Sequence, residues 1–449
     1  MYKISKFNHI RPWGEGHYIA YNARSGALGL MDEKNYQTCQ NVFGKIRNGA
    51  ESEFTPEEAH LVRQLEYGRF IHHDYYDELE ELKFQHHQAR FDQSSLGLSI
   101  APTLACNMDC GYCYEGNKKG RMQPEIVETI LDFIETRAAG IRSLDINWYG
   151  GEPLLAMEII EDLTESMLDM AEEYKFAFNA SMITNGYLLT NENTDRLLDN
   201  LKVSNIQITL DGPSDIHNKK RPLKSGKDSF DTILKNIQYA SRKMQVNIRV
   251  NIDKSFTSET IQRLLNELDE AGLKNNVGLY FGRIEAATSA CSNISESCYG
   301  AEDFSKVETD FYRLLLENGF SITSLPQPMG TVCFSQLISS HLLDPEGYIY
   351  KCYNYVGDIP RAMGNIKENI NYNHPNFTRL FNFDAFEHEE CRNCSILPIC
   401  MGGCPARRAD GDLKSGEACE TWKHNLGPML EIIARSRQSQ AQKAAKETT

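Results

Sequence analysis

Residues 96–113 read LGLSIAPTLACNMDCGYC, and residues 144–153 read LDINWYGGEP. In each, a short apolar run of strand character ends in a loop rich in glycine, proline or cysteine. Further apolar runs follow at 180–183, 206–210, 246–252 and 277–281. Amphipathic stretches of helical period lie between them, at 124–138, 154–173, 190–201, 228–243 and 258–271. Strand and helix in alternation call for a parallel sheet. Six such units predict an α/β fold over residues 96–325, a partial (β/α)6 TIM-like barrel rather than a closed eight-stranded one. In such folds functional groups collect at the C-terminal ends of the strands.

The 449-residue chain is long enough for two or three domains and a sizeable core. Its net charge of −15 argues against a nucleic-acid-binding surface as the main business, although a local basic groove remains compatible with it. Residues 1–11 are polar and lack a signal-peptide apolar region, and no apolar run is long enough to cross a membrane. The expected location is the cytoplasm. An odd count of 13 cysteines in such a chain points to metal ligation rather than to disulfides.

Residues 1–95 form a separate N-terminal unit and linker helix. A strand pair is expected around Arg24-Ser25-Gly26, then a helix from Asp32 to Ile46. Thr55-Pro56-Glu57-Glu58 is a helix start, with Thr as N-cap, Pro at the first helical position and Glu three residues after the cap. That helix should end at Gly68. Residues 74–91 read as a charged connector helix, and the histidine pairs 72–73 and 86–87 are expected at the surface. Residues 326–425 are rich in Cys, Gly, Pro and Asn and show little periodicity; metal would staple such a region. Residues 426–449 are a C-terminal helix and a polar tail expected to fray from about Gln438.

The chemistry starts at Cys106, Cys110 and Cys113. Thiolate-only ligation selects zinc or iron–sulfur. A structural zinc wants four protein ligands, whereas three thiolates on a four-iron cube leave one iron open. Gly150-Gly151-Glu152-Pro153 follows the second strand and Thr184-Asn185-Gly186 the third. Asp211-Gly212-Pro213 follows the fourth, with Arg221 ten residues after Asp211. Each of these is weak alone, because turns use the same residues; their order after successive strands is the stronger signal. Over residues 96–290 the chain resembles the radical S-adenosylmethionine (SAM) superfamily. The resemblance implies a [4Fe–4S] cluster on Cys106, Cys110 and Cys113 that cleaves SAM to a carbon radical. It also implies SAM contacts from Tyr112 on the adenine side, from Gly150, Gly151, Glu152 and Pro153, and from Thr184, Asn185 and Arg221.

The later cysteines are spaced Cys333-x13-Gly347-x4-Cys352, then Cys391-x2-Cys394-x5-Cys400-x3-Cys404 and x14 to Cys419. This resembles the SPASM extension of peptide-modifying radical SAM enzymes. It implies two auxiliary [4Fe–4S] clusters, one on Cys333, Cys352 and Cys404 and one on Cys391, Cys394, Cys400 and Cys419. The first is a thiolate short. Either Cys298, or less readily Cys291, completes it, or an iron stays open to a substrate thiol. Cys39 reads as a small buried apolar residue.

The N-terminal unit resembles the winged-helix-like peptide-recognition element of ribosomal-peptide maturases, whose edge strand takes a leader peptide. Together the parts resemble a radical SAM/SPASM maturase. The implied substrate is a ribosomally made precursor peptide, and the implied reaction is hydrogen abstraction followed by a thioether or carbon–carbon crosslink, or by epimerisation. A flavodoxin or ferredoxin is the implied electron donor. Anaerobic sulfatase-maturing enzymes share this architecture, but carry an Asp where this chain has Tyr353. Tyr353 and Tyr355 are candidate acid–base or relay groups, although such tyrosines more often pack. A non-catalytic metal scaffold that recruits a peptide would explain the cysteines but not the motifs after the strands.

Overall fold

The computed structural model describes residues 1–409 and 418–447 except Asn117, Val332 and Asn369. Its N-terminal unit holds β1 (Tyr2–Ile4), β2 (Asn8–Pro12), β3 (His17–Asn22) and β4 (Leu28–Asp32). These are followed by helices Glu33–Arg47 and Pro56–Tyr67, β5 (Ile71–His73) and helix Glu78–Phe91. β2, β3 and β4 form an antiparallel sheet, and β1 pairs with β5. The predicted strand pair is β3 and β4; β1 and β2 are additions. The expected helix start is present as a reciprocal cap: Glu58 N–H donates to Thr55 Oγ1 at 3.2 Å and Thr55 N–H to Glu58 Oε2 at 2.8 Å.

The central sheet contains β6 (Ser95–Ile100), β7 (Ser143–Trp148), β8 (Ala177–Thr184), β9 (Val203–Thr209), β10 (Gln245–Ile252) and β11 (Gly278–Arg283), all parallel. The predicted partial barrel is therefore present. β12 (Ser340–Leu343) adds a further parallel strand beside β6, and β13 (Ile349–Tyr350) pairs antiparallel with β12. The sheet order is β11-β10-β9-β8-β7-β6-β12-β13. This corrects the expectation that residues 326–425 are irregular throughout: their first part is built onto the sheet.

The strands alternate in chemistry. Leu96, Leu98 and Ile100, with Leu144, Ile146 and Trp148, and with Val246, Ile248, Val250 and Ile252, are buried in one core with the crossover helices. The intervening positions carry Ser99, Asn147, Ser181, Asn205, Gln207, Arg249 and Tyr280. They bond across strands: Ser181 Oγ to Asn147 Oδ1 at 3.1 Å, Asn247 Nδ2 to Asn205 Oδ1 at 3.0 Å, and Tyr280 Oη to Gln207 Oε1. A parallel sheet covered on both faces by apolar layers reads as continuous hydrophobic runs. This one packs one face against the crossover helices and carries hydrogen-bonding groups on the other.

Two surface expectations change. His86 is buried, and its Nδ1 lies 2.7 Å from Gly330 O; His87 Nε2 lies 2.9 Å from Asp384 Oδ2. One face of the connector helix thus packs against the cysteine-rich region, while Phe84 and Phe91 stay exposed. Helix Trp422–Glu447 runs through the segment expected to fray, as its Ala, Lys, Gln and Glu content favours; residues 448 and 449 lie outside the described residues. Cys39 is buried as expected. No described helix is long and apolar enough to cross a membrane.

Candidate functional site

Cys106, Cys110 and Cys113 lie on the loop after β6. Its base is closed by Leu104 N–H to Gly120 O at 3.1 Å and Met122 N–H to Pro102 O at 2.9 Å. Its far side is tied to the segment after β9, where Asp109 N–H donates to Pro222 O at 2.9 Å and Lys224 N–H to Asn107 O at 2.8 Å. The loop is thus held from two strand ends before any ligand arrives.

Gly150 and Gly151 lie in close backbone approach to the cysteine loop. A Cβ on Gly150, at φ +115°, would overlap Thr103 O, and one on Gly151 would overlap the carbonyl oxygens of Leu104 and Ala105. Glu152 N–H continues the contact, donating to Ala105 O at 2.9 Å.

Glu152 is fully buried. Its Oε1 accepts from Thr184 Oγ1 at 2.8 Å and Leu154 N–H at 3.1 Å, and its Oε2 from Asn185 N–H at 2.8 Å. Burial raises its carboxyl above the ordinary value while these donors oppose the rise. The bond between Glu152 and Thr184 joins the ends of β7 and β8. Asn185 Nδ2 donates to Asn107 Oδ1 at 2.7 Å and lies 3.8 Å from Cys106 Sγ, so it does reach the thiol loop. Pro153 opens a buried 3-10 turn, Pro153–Ala156.

Tyr112 turns toward β9 and β10. Its hydroxyl accepts from Arg221 Nη1 at 2.5 Å, bonds Asp211 Oδ2, and accepts from Asn251 Nδ2 at 3.2 Å. Asp211 Oδ1 accepts Asn251 N–H at 2.8 Å. Arg221 Nη1 is 3.7 Å from Asp211 Oδ2. Its charge acts on Cys106 and Cys110 against the burial that pushes both thiols up, Cys106 to about 11. Thiols so buried ionise readily only when a metal takes the place of the proton, and the donor set fits a thiolate-bound cluster. Sequence reasoning missed Asn251 and Arg249, which face the same chamber and are joined by Arg249 Nε to Asn251 Oδ1 at 2.8 Å. The signal was the polar half of the strand alternation.

The structure brings four of the C-terminal cysteines to one cavity and sets others beside the barrel. Cys333 and Cys404 act on one another, and Tyr353 is influenced by Cys333 and Cys352. Cys391, Cys394, Cys400 and Cys419 line a cavity of about 340 Å³. Among the described residues no three metal-binding side chains converge on the position of a single ion; this second set surrounds a space instead, as a cluster requires. The thiol Sγ of Cys298 lies 3.4 Å from Ile294 O, and the groups that act on it include Cys291, Glu285 and Asp253. Cys291 is buried and bonded to the carbonyls of Glu285 and Thr288. The groups that act on Cys333 include Cys404 and Lys351.

Tyr353, next to Cys352, reaches the inner face of the barrel, with its hydroxyl bonded to Ser99 and Asn147. Its ring meets Tyr149 edge-on at 4.8 Å, and the Tyr149 hydroxyl bonds that of Tyr114, the neighbour of Cys113. Tyr355 instead packs in the adjoining core, under Arg361.

A strand-ordered set of motifs surrounds a three-thiol loop on a parallel partial barrel. Residues 100–268 match the Radical SAM superfamily, and with maturating enzymes among its curated relatives over most of its length the chain is an enzyme. Among curated proteins it is 28% identical to the cysteine-type anaerobic sulfatase-maturating enzyme of Clostridium perfringens (strain 13 / Type A), over 73% of this chain and 94% of the relative. It is 21% identical to the serine-type enzyme of Bacteroides thetaiotaomicron, over 75% of this chain and 90% of the relative. Among solved structures, anSMEcpe with bound AdoMet and Kp18Cys peptide aligns with TM-score 0.58 and 23% identity, covering 78% of this chain and 99% of that one. Streptococcus suis SuiB bound to its precursor peptide SuiA aligns with TM-score 0.53 and 16% identity, covering 92% and 97%. Both show the same fold.

Proposed function

We propose that the chain is a radical SAM/SPASM maturase that abstracts hydrogen from a residue of a ribosomally made precursor peptide and so forms a thioether or carbon–carbon crosslink. The observation that carries this reading is the joint construction of one chamber. β12 of the cysteine-rich region extends the sheet that bears the thiol loop, and Tyr353 enters the barrel from beside Cys352. A substrate radical formed there lies beside the C-terminal thiols. SuiB, which takes the peptide SuiA, aligns over more of this chain than anSMEcpe does, and this supports a peptide substrate and a role for the N-terminal unit.

In this reading Cys106, Cys110 and Cys113 hold a [4Fe–4S] cluster, Cys333, Cys352 and Cys404 a second, and Cys391, Cys394, Cys400 and Cys419 a third. When bound, the first supplies reductive cleavage of SAM to a 5′-deoxyadenosyl radical. The protein's part is placement. Gly150 and Gly151 seat the thiol loop, Asn185 and Arg221 offer polar groups beside it, and the Ser99–Asn147–Tyr353 wall orients the peptide. Either Cys298 completes the second cluster or one of its irons stays open to a substrate thiol, and the iron content and spectra of C298A decide between the two. Domain limits follow the same logic: residues 1–95 for peptide recognition, 96–325 for the barrel, 326–425 for the auxiliary sites, and a C-terminal helix beyond.

The test is anaerobic reconstitution with iron and sulfide, then reaction with SAM, reductant and the peptide encoded beside the gene. A crosslink appears as the loss of two hydrogens in the peptide mass, and 5′-deoxyadenosine production disappears in C106A/C110A/C113A. Epimerisation would instead incorporate solvent deuterium at constant chemical composition. Sulfatase maturation is the second reading, favoured by the curated relatives; formylglycine formation on a sulfatase peptide would establish it over the first. A colourless zinc protein that leaves SAM intact would reduce the chain to a scaffold and end the proposal.

A further inference from the structure

Near the first thiol loop Glu152 acts on Cys106, Asp211 and Asp109 on Cys110, and Glu115 on Cys113, with Arg221 the opposing cation. The set Cys391, Cys394, Cys400 and Cys419 meets two cations. Lys423 Nζ donates to Cys394 Sγ at 3.3 Å. Arg408 acts on Cys391 and Cys419, its Nε anchored on Gly402 O at 3.1 Å and its guanidinium over the Phe383 ring. Both side chains line the 340 Å³ cavity, with Glu390 the carboxylate on the same wall and Glu420 acting on Cys400.

Net charge and hydrogen bonds to sulfur set the potential of a thiolate-bound cluster. Adding an electron adds negative charge, which nearby cations stabilise in a half-buried site. We infer that Arg408 and Lys423 raise the midpoint potential of the Cys391/Cys394/Cys400/Cys419 site, Lys423 by its bond to the Cys394 sulfur and Arg408 by its charge on the cavity wall. The inference rests on the cluster reading of this thiol set, and it names the residues that tune that site.

The experiment uses the reconstituted full chain with Cys106, Cys110 and Cys113 replaced by Ala, so that only the auxiliary sites remain. C394A identifies the electron paramagnetic resonance signal of the site and lowers the iron content. In a potentiometric titration of that signal, K423M and R408M should each shift the midpoint to more negative potential with iron content unchanged, and K423R should return it toward the parent value. An unmoved midpoint in both Met variants overturns the inference while leaving the cluster in place. Loss of iron in both also overturns it, since the cations would then be structural. Iron content insensitive to C394A would remove the cluster reading itself, and this inference with it.

Discussion

The hydroxyl of Tyr353 lies 2.7 Å from Ser99 Oγ and 3.2 Å from Asn147 Nδ2. The residue after Cys352 is therefore anchored on β6 and β7. Burial raises its phenol above the ordinary value while Ser99 and Asn147 oppose the rise, so it is a neutral donor at working pH. Tyr353→Phe should keep iron content and uncoupled SAM cleavage. It should lower modified peptide per 5′-deoxyadenosine by about tenfold, the equivalent of one lost hydrogen bond of about 1.4 kcal/mol. Product analysis against 5′-deoxyadenosine checks this.

Gly151 is expected to tolerate no side chain. In Gly151→Ala the new methyl overlaps two carbonyls of the cysteine loop, so either the loop moves or the fold loses about 3 kcal/mol. Iron bound at the first site should fall sharply while the circular dichroism of the barrel persists. Full iron loading in the variant would contradict the packing argument.

Glu308 supplies a pH dependence. It sits between helices Ala301–Glu317 and Trp422–Glu447, bonded to Asn425 Nδ2 at 2.9 Å, with Thr421, Glu420 and Arg283 nearby. Burial, with Glu420 adding to it, holds its carboxyl up at about 7 against an ordinary 4.5. Below pH 4.5 the folded and unfolded chains are both protonated there, and the stability contribution is complete. As pH rises from 4.5 to 7 the unfolded chain ionises first and stability falls, by roughly 3 kcal/mol in all. Glu308→Gln should flatten that part of the melting-temperature profile.

Thr55→Ala removes one half of the reciprocal cap on helix Pro56–Tyr67. The cost should be about 1 kcal/mol, confined to the N-terminal unit. Hydrogen exchange of that helix should accelerate while the central sheet keeps its protection.

Much of this architecture is legible in the sequence. The helix start at Thr55, the six barrel strands and the motifs at their ends all rest on local signals: caps, period and loop residues. Where reading failed, the cause was distance along the chain. Ser340–Leu343 is four residues long, and nothing nearby says that it will lie beside β6; only the fit of Ser340 against Gly97 shows it. His86 reads as a charged-helix residue until Gly330 and Asp384 cover the face. The polar residues of β7–β10 were passed over because apolar runs were sought, although they line the chamber.

Taken alone, the sequence determined that this is a three-thiol, strand-ended site on a parallel sheet, because cysteine spacing and strand–loop order are local and survive without knowledge of packing. Tertiary structure alone decided what the site residues touch. It turned Gly150, Gly151, Glu152 and Thr184 into supports for the cysteine loop, set Tyr353 inside the barrel, and left Cys298 with Cys291, Glu285 and Asp253. The physical reason is that a side chain's partner is fixed by which strands and loops meet, and those meetings join residues far apart in the chain.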